Sequence, residues 1–114
     1  ALGTRLAIVL AHDDCRAVHA CWEELQTGVP PNLALAPLTG MLAARLYRAG
    51  GAADIDAAID VNARATAQSL ITECPSLRQA IIAGGAQLAV LRYSPGTRLV
   101  TLLEERVEPH AGAI

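Results

Sequence analysis

Two short apolar runs, one near each end of the chain, constrain the fold most. Arg5 to Ala11 (RLAIVLA) is continuous, with β-branched Ile8 and Val9, and predicts a strand buried on both faces, as in a parallel sheet. Gln87 to Tyr93 (QLAVLRY) predicts a second strand. Ser94-Pro95-Gly96-Thr97 has turn chemistry, and Arg98 to Glu104 (RLVTLLE) predicts the return strand of a hairpin. The chain between the first two runs is patterned for helices. Asp13 or Asp14 is a suitable N-cap, and Cys15 to Gln26 then predicts a helix, with Val18, Cys21, Trp22 and Leu25 on one apolar face. Gly28 and Pro30-Pro31 end it. Leu33 to Ala49 is weakly helical, interrupted by Pro37 and Gly40 and closed by Gly50-Gly51. Asp54 to Glu73 predicts a long helix stopped by Pro75, and Ser76 to Ala83 a short one ended by Gly84-Gly85. The tail after Arg106 is expected to be loose.

A strand, several helices, a strand and a hairpin make an α/β domain with an open, mainly parallel sheet flanked by helices and a C-terminal antiparallel hairpin. The 114 residues allow a single domain, spanning 1–114. Three strands are few for a sheet whose first strand is buried on both faces, so one edge of that strand is expected to want another neighbour. The chain opens on Ala1 directly before a strand, which suggests a fragment or a processed domain.

Composition excludes several function classes. Hydrophobic residues make up 53% and charged residues 18%, enough apolar matter for a core and too little charge for a disordered chain. The longest unbroken apolar run, Leu6 to Ala11, is far short of the roughly 20 residues of a membrane span. All basic residues are Arg and the net charge is -2, with no basic stripe for nucleic acid. Phe is absent and Trp22 stands alone, so alanine carries much of the hydrophobicity. Each alanine buries little area, and a thin core of this kind predicts self-association. Three cysteines at irregular spacing argue against a disulfide framework and favour a reducing cytoplasm.

The chemistry-bearing residues cluster after the first strand. His12 and Cys15 form an H-x-x-C pair at a strand-to-helix turn, over the carboxyl end of the sheet, where open α/β folds place their sites. Cys15 stands at a helix N-terminus, whose dipole favours a thiolate. A thiolate and an imidazole at this spacing can share one zinc ion, although zinc wants three or four ligands and the pair also fits plain packing. His19, one turn beyond Cys15, is a third donor or a surface histidine. Cys21 lies on the apolar face and reads as core, and Cys74 sits in a helix-ending turn. Asp14 reads as a cap or as a group beside the metal, and Arg16 places a cation close to it. Asp54, Asp56 and Asp60 read as a solvated helix start, with Asp56 and Asp60 spaced to hold a cation. Trp22 reads as the main core anchor. Gly84-Gly85 opens no helix and is no phosphate loop.

The segment Ile8 to Val18 (IVLAHDDCRAV) resembles the β-class carbonic anhydrase segment of apolar strand followed by G-H-[ST]-x-C-G-A-V. Further pieces follow that family in order. Val61-Asn62 to Leu70 resembles its N-V-x-x-x-V-x-x-L helix, and Glu73 to Leu77 its S-P-x-L. Ala80 to Gly84 with Leu88 to Tyr93 resembles A-V-x-x-G and the strand x-V-x-G-x-x-Y, and Ser94 to Leu103 loosely resembles its D-x-x-T-G-x-V hairpin. The resemblance implies a β-carbonic anhydrase fold lacking its first strands, a zinc cofactor, and reversible hydration of carbon dioxide to bicarbonate. His12 and Cys15 match two of the family's three protein zinc ligands.

The departures from the family are specific. The third ligand belongs to a C-x-D-x-R motif upstream of H-x-x-C, and no such motif occurs in this chain. Ala11 and Arg16 stand where the family has glycines flanking His and Cys. Two readings therefore follow from the sequence. One is a zinc lyase domain whose missing parts are supplied elsewhere. The other is a non-catalytic structural or assembly module of that lineage. The family's oligomeric habit and the thin core together imply a homo-oligomer, or pairing with another chain or segment that completes the sheet.

Overall fold

A computed structural model describes residue 3 and residues 5–29 and 32–109. The elements run β1 (Leu6–His12), α1 (Arg16–Thr27), a short 3-10 turn (Leu33–Leu35), α2 (Ala36–Arg48), α3 (Ile55–Glu73), α4 (Pro75–Ile82), β2 (Gln87–Ser94) and β3 (Leu99–Glu104). Every element expected from sequence is present, with boundaries moved by one to three residues. Pro30-Pro31 lies outside the described residues. Gly28 closes α1 with φ 75°, its N–H donating to the Glu24 carbonyl at 2.7 Å, a left-handed cap that glycine adopts without steric cost.

The segment after residue 32 is more regular than its sequence suggests. Pro37 sits in the first turn of α2, where a proline has no hydrogen bond to lose, and so it starts the helix. Gly40 lies within the same helix, where an added Cβ would come within 3.9 Å of Glu24 Oε2, an ordinary contact. Thr39 beside it is buried, and its hydroxyl donates to Glu24 Oε1 at 3.3 Å, tying α2 to α1.

Helix α3 divides the core in two. One side carries Ala58 and Ile59 against Val18 and Cys21 of α1 and Leu42, Ala43 and Leu46 of α2. The other carries Ala63, Ala67 and Ile71 against Leu88 and Val90 of β2, with Ala7 and Val9 of β1 packed alongside. Two alanines on α3, Ala63 and Ala67, let the helix approach the strands closely. Trp22 is half-buried at the margin of the first cluster and does not anchor it; Leu46 and Ile71 are the large buried side chains.

The sheet order is β1-β2-β3, with β1 parallel to β2 and β2 antiparallel to β3. One pair is parallel and one antiparallel, so the sheet is mixed, not mainly parallel. Burial of β1 on both faces does not hold either. Ala7, Val9 and Ala11 face the helices, while Leu6, Ile8 and Leu10 are 52%, 51% and 57% exposed on the other face. Val100 and Leu102 of β3 extend this bare apolar face. The strand is continuous in hydrophobicity, yet among the described residues helices cover only one side of it.

The edge of β1 is open as well. The Arg5 carbonyl accepts from the Gln87 N–H at 2.9 Å, and the Asp13 N–H donates to the Tyr93 carbonyl at 3.0 Å. Odd-numbered residues therefore turn their backbone groups toward β2. By alternation, those of Leu6, Ile8, Leu10 and His12 face the open edge. The neighbour expected for this edge is not among the described residues.

The tail is anchored further than expected. Val107 is buried and its N–H donates to the Leu88 carbonyl at 2.8 Å. Gln68 and Gln87 donate to the carbonyls of Glu108 and Glu105 at 3.0 and 2.8 Å. These bonds continue the packing of β2 beyond Arg106, because a buried backbone must find partners.

Candidate functional site

His12 ends β1 and Cys15 is the residue from which α1 starts, with the turn Asp13-Asp14 between them. Neither aspartate caps the helix. The N-cap is Cys15, which makes no side-chain capping bond, and the first turn of α1 holds no acid. Asp14 adopts φ 57°, a left-handed conformation that Asp tolerates better than most residues. Asp14, Arg16 and His19 are exposed, and Cys15 is half-buried. Ala11 and Arg16, on either side of His12 and Cys15, have no positive φ, so their side chains cause no backbone strain.

His12 and Cys15 line one cleft of about 230 Å³ along β1, with Val18 of α1 and Ile59, Asn62 and Thr66 of α3. The Asn62 Oδ1 is buried without a hydrogen-bond partner. A larger cleft of about 550 Å³ between α2 and α3, bordered by Arg45, Arg48 and Glu73, is shallow and shares no residue with this one. His12 Nδ1 lies 2.9 Å from the carbonyl of Asp13. Among the described residues no group of three or more His, Cys, Asp and Glu side chains is placed to hold a metal ion. A catalytic zinc requires three protein donors, and the cleft supplies His12 and Cys15. This donor set does not fit a complete zinc site. Cys21 is core, as expected, and burial followed by the nearby Glu24 pushes its thiol up to about 11. Cys74 lies at the α3–α4 junction, where the Ser76 hydroxyl and then the Leu77 backbone hold its thiol below the usual value.

The carboxylates have a different occupation. Arg92 projects from β2 on the helix face, and its side chain is 14% exposed. Its Nε donates to Asp13 Oδ1 at 2.6 Å, its Nη2 to Asp56 Oδ1 at 2.8 Å, and its Nη1 to Asp60 Oδ1 at 3.0 Å and the Asp56 carbonyl at 3.1 Å. Asp56 and Asp60 are thus not simply a solvated helix start. The cation they hold at i, i+4 spacing is a guanidinium. Asp54 alone keeps the expected role, accepting from the Ala57 N–H at 2.8 Å as the N-cap of α3.

The protonation of this cluster follows from its contacts. Burial opposes the charge of Arg92, but its bonds to the Asp56, Asp13 and Asp60 carboxylates outweigh it and hold the guanidinium above its ordinary value. The Ser94 hydroxyl, then Arg92, keep the Asp13 carboxyl below its ordinary value. Asp13 therefore stabilises the fold fully above the ordinary carboxylate range, and this contribution is lost as pH falls through its lowered value. Between about pH 5 and pH 2 the stability of the wild type is expected to fall more steeply than that of Asp13→Ala. Urea midpoints measured across that range check this, and parallel curves would refute it.

Arg92 was not among the residues singled out from sequence, although the signal was present. Alternation from Leu88 and Val90 puts Arg92 on the helix-facing side of a strand, and a charge on a buried face requires countercharges. Asp13, Asp56 and Asp60 provide them.

No protein-family model matches the chain, and no curated protein matches it.

Proposed function

We propose that this chain is a β-carbonic anhydrase-like domain that does not complete a zinc site from its own described residues. In it, hydration of carbon dioxide to bicarbonate awaits parts supplied from elsewhere. One observation carries the reading: His12 and Cys15 line a single cleft beside an edge of a parallel strand that has no partner among the described residues. The order of strand, helices, parallel strand and hairpin supports it. Zinc, if held, would be held by His12 and Cys15 together with a donor from another segment. Asp14 and Arg16, both exposed at the same turn, are the groups nearest in sequence to such a site.

A non-catalytic assembly module is the second reading. It is favoured by the engagement of Asp13, Asp56 and Asp60 with Arg92, and by the Arg16 cation beside the pair. Both readings have the chain associating, as a homo-oligomer or with a segment that completes the sheet, because an apolar face and a strand edge are left bare. In both, the free thiols of Cys15, Cys21 and Cys74 suit a cytoplasmic setting.

The test is zinc content and carbon dioxide hydration of the purified chain, with Cys15→Ser alongside. The expected result is far less than one zinc per chain and no hydration above the uncatalysed rate. One zinc per chain, lost in Cys15→Ser and accompanied by hydration, would overturn the proposal.

A further inference from the structure

We infer that Arg92 is a positioning residue for the turn that carries His12 and Cys15, holding that turn against β2 and the start of α3. The inference rests on reading His12 and Cys15 as site residues, but the order of the turn is measurable without any metal.

The turn has little to anchor it locally beyond the exposed contact of His12 Nδ1 with the Asp13 carbonyl at 2.9 Å. Its N-cap makes no side-chain bond, the first turn of α1 has no acid, and Asp14 sits at φ 57°. A left-handed non-glycine conformation persists where the surroundings over-determine it. Here the surroundings are two successive residues of β2. Arg92 grips the Asp13 carboxylate at 2.6 Å, and the Tyr93 carbonyl takes the Asp13 N–H at 3.0 Å. Arg92 then passes the constraint on. Its remaining donors reach Asp56 and Asp60 in the first two turns of α3, the helix whose Asn62 and Thr66 form the opposite wall of the cleft. One planar fork therefore sets the spacing between the two walls. A lysine has a single ammonium and cannot reach three carboxylates in fixed directions.

The experiment uses the full chain and two readouts: iodoacetamide alkylation of Cys15, resolved from Cys21 and Cys74 by peptide mass spectrometry, and amide exchange across residues 13–16. Arg92→Lys keeps the net charge, Asp13→Ala cuts only the bond to the turn, and Asp60→Ala cuts only a bond to α3. Arg92→Lys and Asp13→Ala are expected to speed Cys15 alkylation and exchange of the turn at least fivefold. Asp60→Ala is expected to stay within twofold of wild type. If Arg92→Lys does not fold, Asp13→Ala against Asp60→Ala carries the comparison. Equal effects of Asp13→Ala and Asp60→Ala, or unchanged rates in a folded Asp13→Ala, would overturn the inference. One zinc per wild-type chain with hydration would overturn the proposed function while leaving this result standing.

Discussion

Replacing Ile71 by alanine is expected to destabilise the chain by about 3–4 kcal/mol, within the range for large-to-small core substitutions. Ile71 is fully buried between α3 and the sheet. Its neighbour one turn back on α3 is Ala67, whose side chain has no freedom to swing into the space. The cavity would therefore persist, and a persistent cavity puts the cost toward the upper half of the range. A domain of this size has about 5–15 kcal/mol of stability in total. The loss should appear as a fall in the thermal midpoint of roughly 10 °C or more. Thermal melts followed by circular dichroism measure it. A shift of only a degree or two would mean that the core collapses around the missing groups, contrary to the close approach of α3 to β2.

Arg92→Met is expected to cost about 2–3 kcal/mol, and for a different reason. Methionine fills much of the same volume, so packing is largely kept. What is lost is a set of charge-assisted bonds to Asp13, Asp56 and Asp60, worth more than neutral ones. The three carboxylates would then face one another without a counterion. Their exposure moderates the penalty: the Asp56 side chain is 80% exposed, and Asp13 and Asp60 about a third. Each can turn toward water, so the cost falls below the roughly 3–5 kcal/mol of breaking a fully buried pair. Because the penalty is partly repulsion between carboxylates, added salt should reduce it. Urea unfolding at low and high salt checks both parts. A loss that is independent of salt would assign the effect to packing alone.

Apolar runs, helical spacing of apolar residues, and the proline and glycine stops are enough to locate each helix and strand. Their failures have physical causes. Pro37 and Gly40 interrupt the helical pattern in sequence, but a proline at the start of a helix and a glycine against α1 are compatible with a continuous α2. The apolar run of β1 was read as buried on both faces because continuous hydrophobicity marks central strands. Such a run states what the strand would bury if covered, and the described helices cover one face. Asp13 and Asp14 were read as helix caps, the usual role of aspartate before a helix. The nearer demand came from Arg92, far away in the chain.

The candidate site was legible to the same extent. The spacing of His12 and Cys15 placed both at one turn, and the structure puts both in one cleft. That Asn62 and Thr66 form its other wall followed only from the packing of α3 across β1.

The sequence alone determined the local order of elements, because helix and strand periodicity, proline and glycine act over a few residues. It also determined the thinness of the core, since alanine cannot bury more area than it has. Only the tertiary structure decided which face and which edge of β1 stay bare, and which cation the aspartates hold. Those outcomes depend on contacts between residues distant in the chain, such as Arg92 with Asp13, 79 positions apart, and no local pattern encodes which distant charge will arrive.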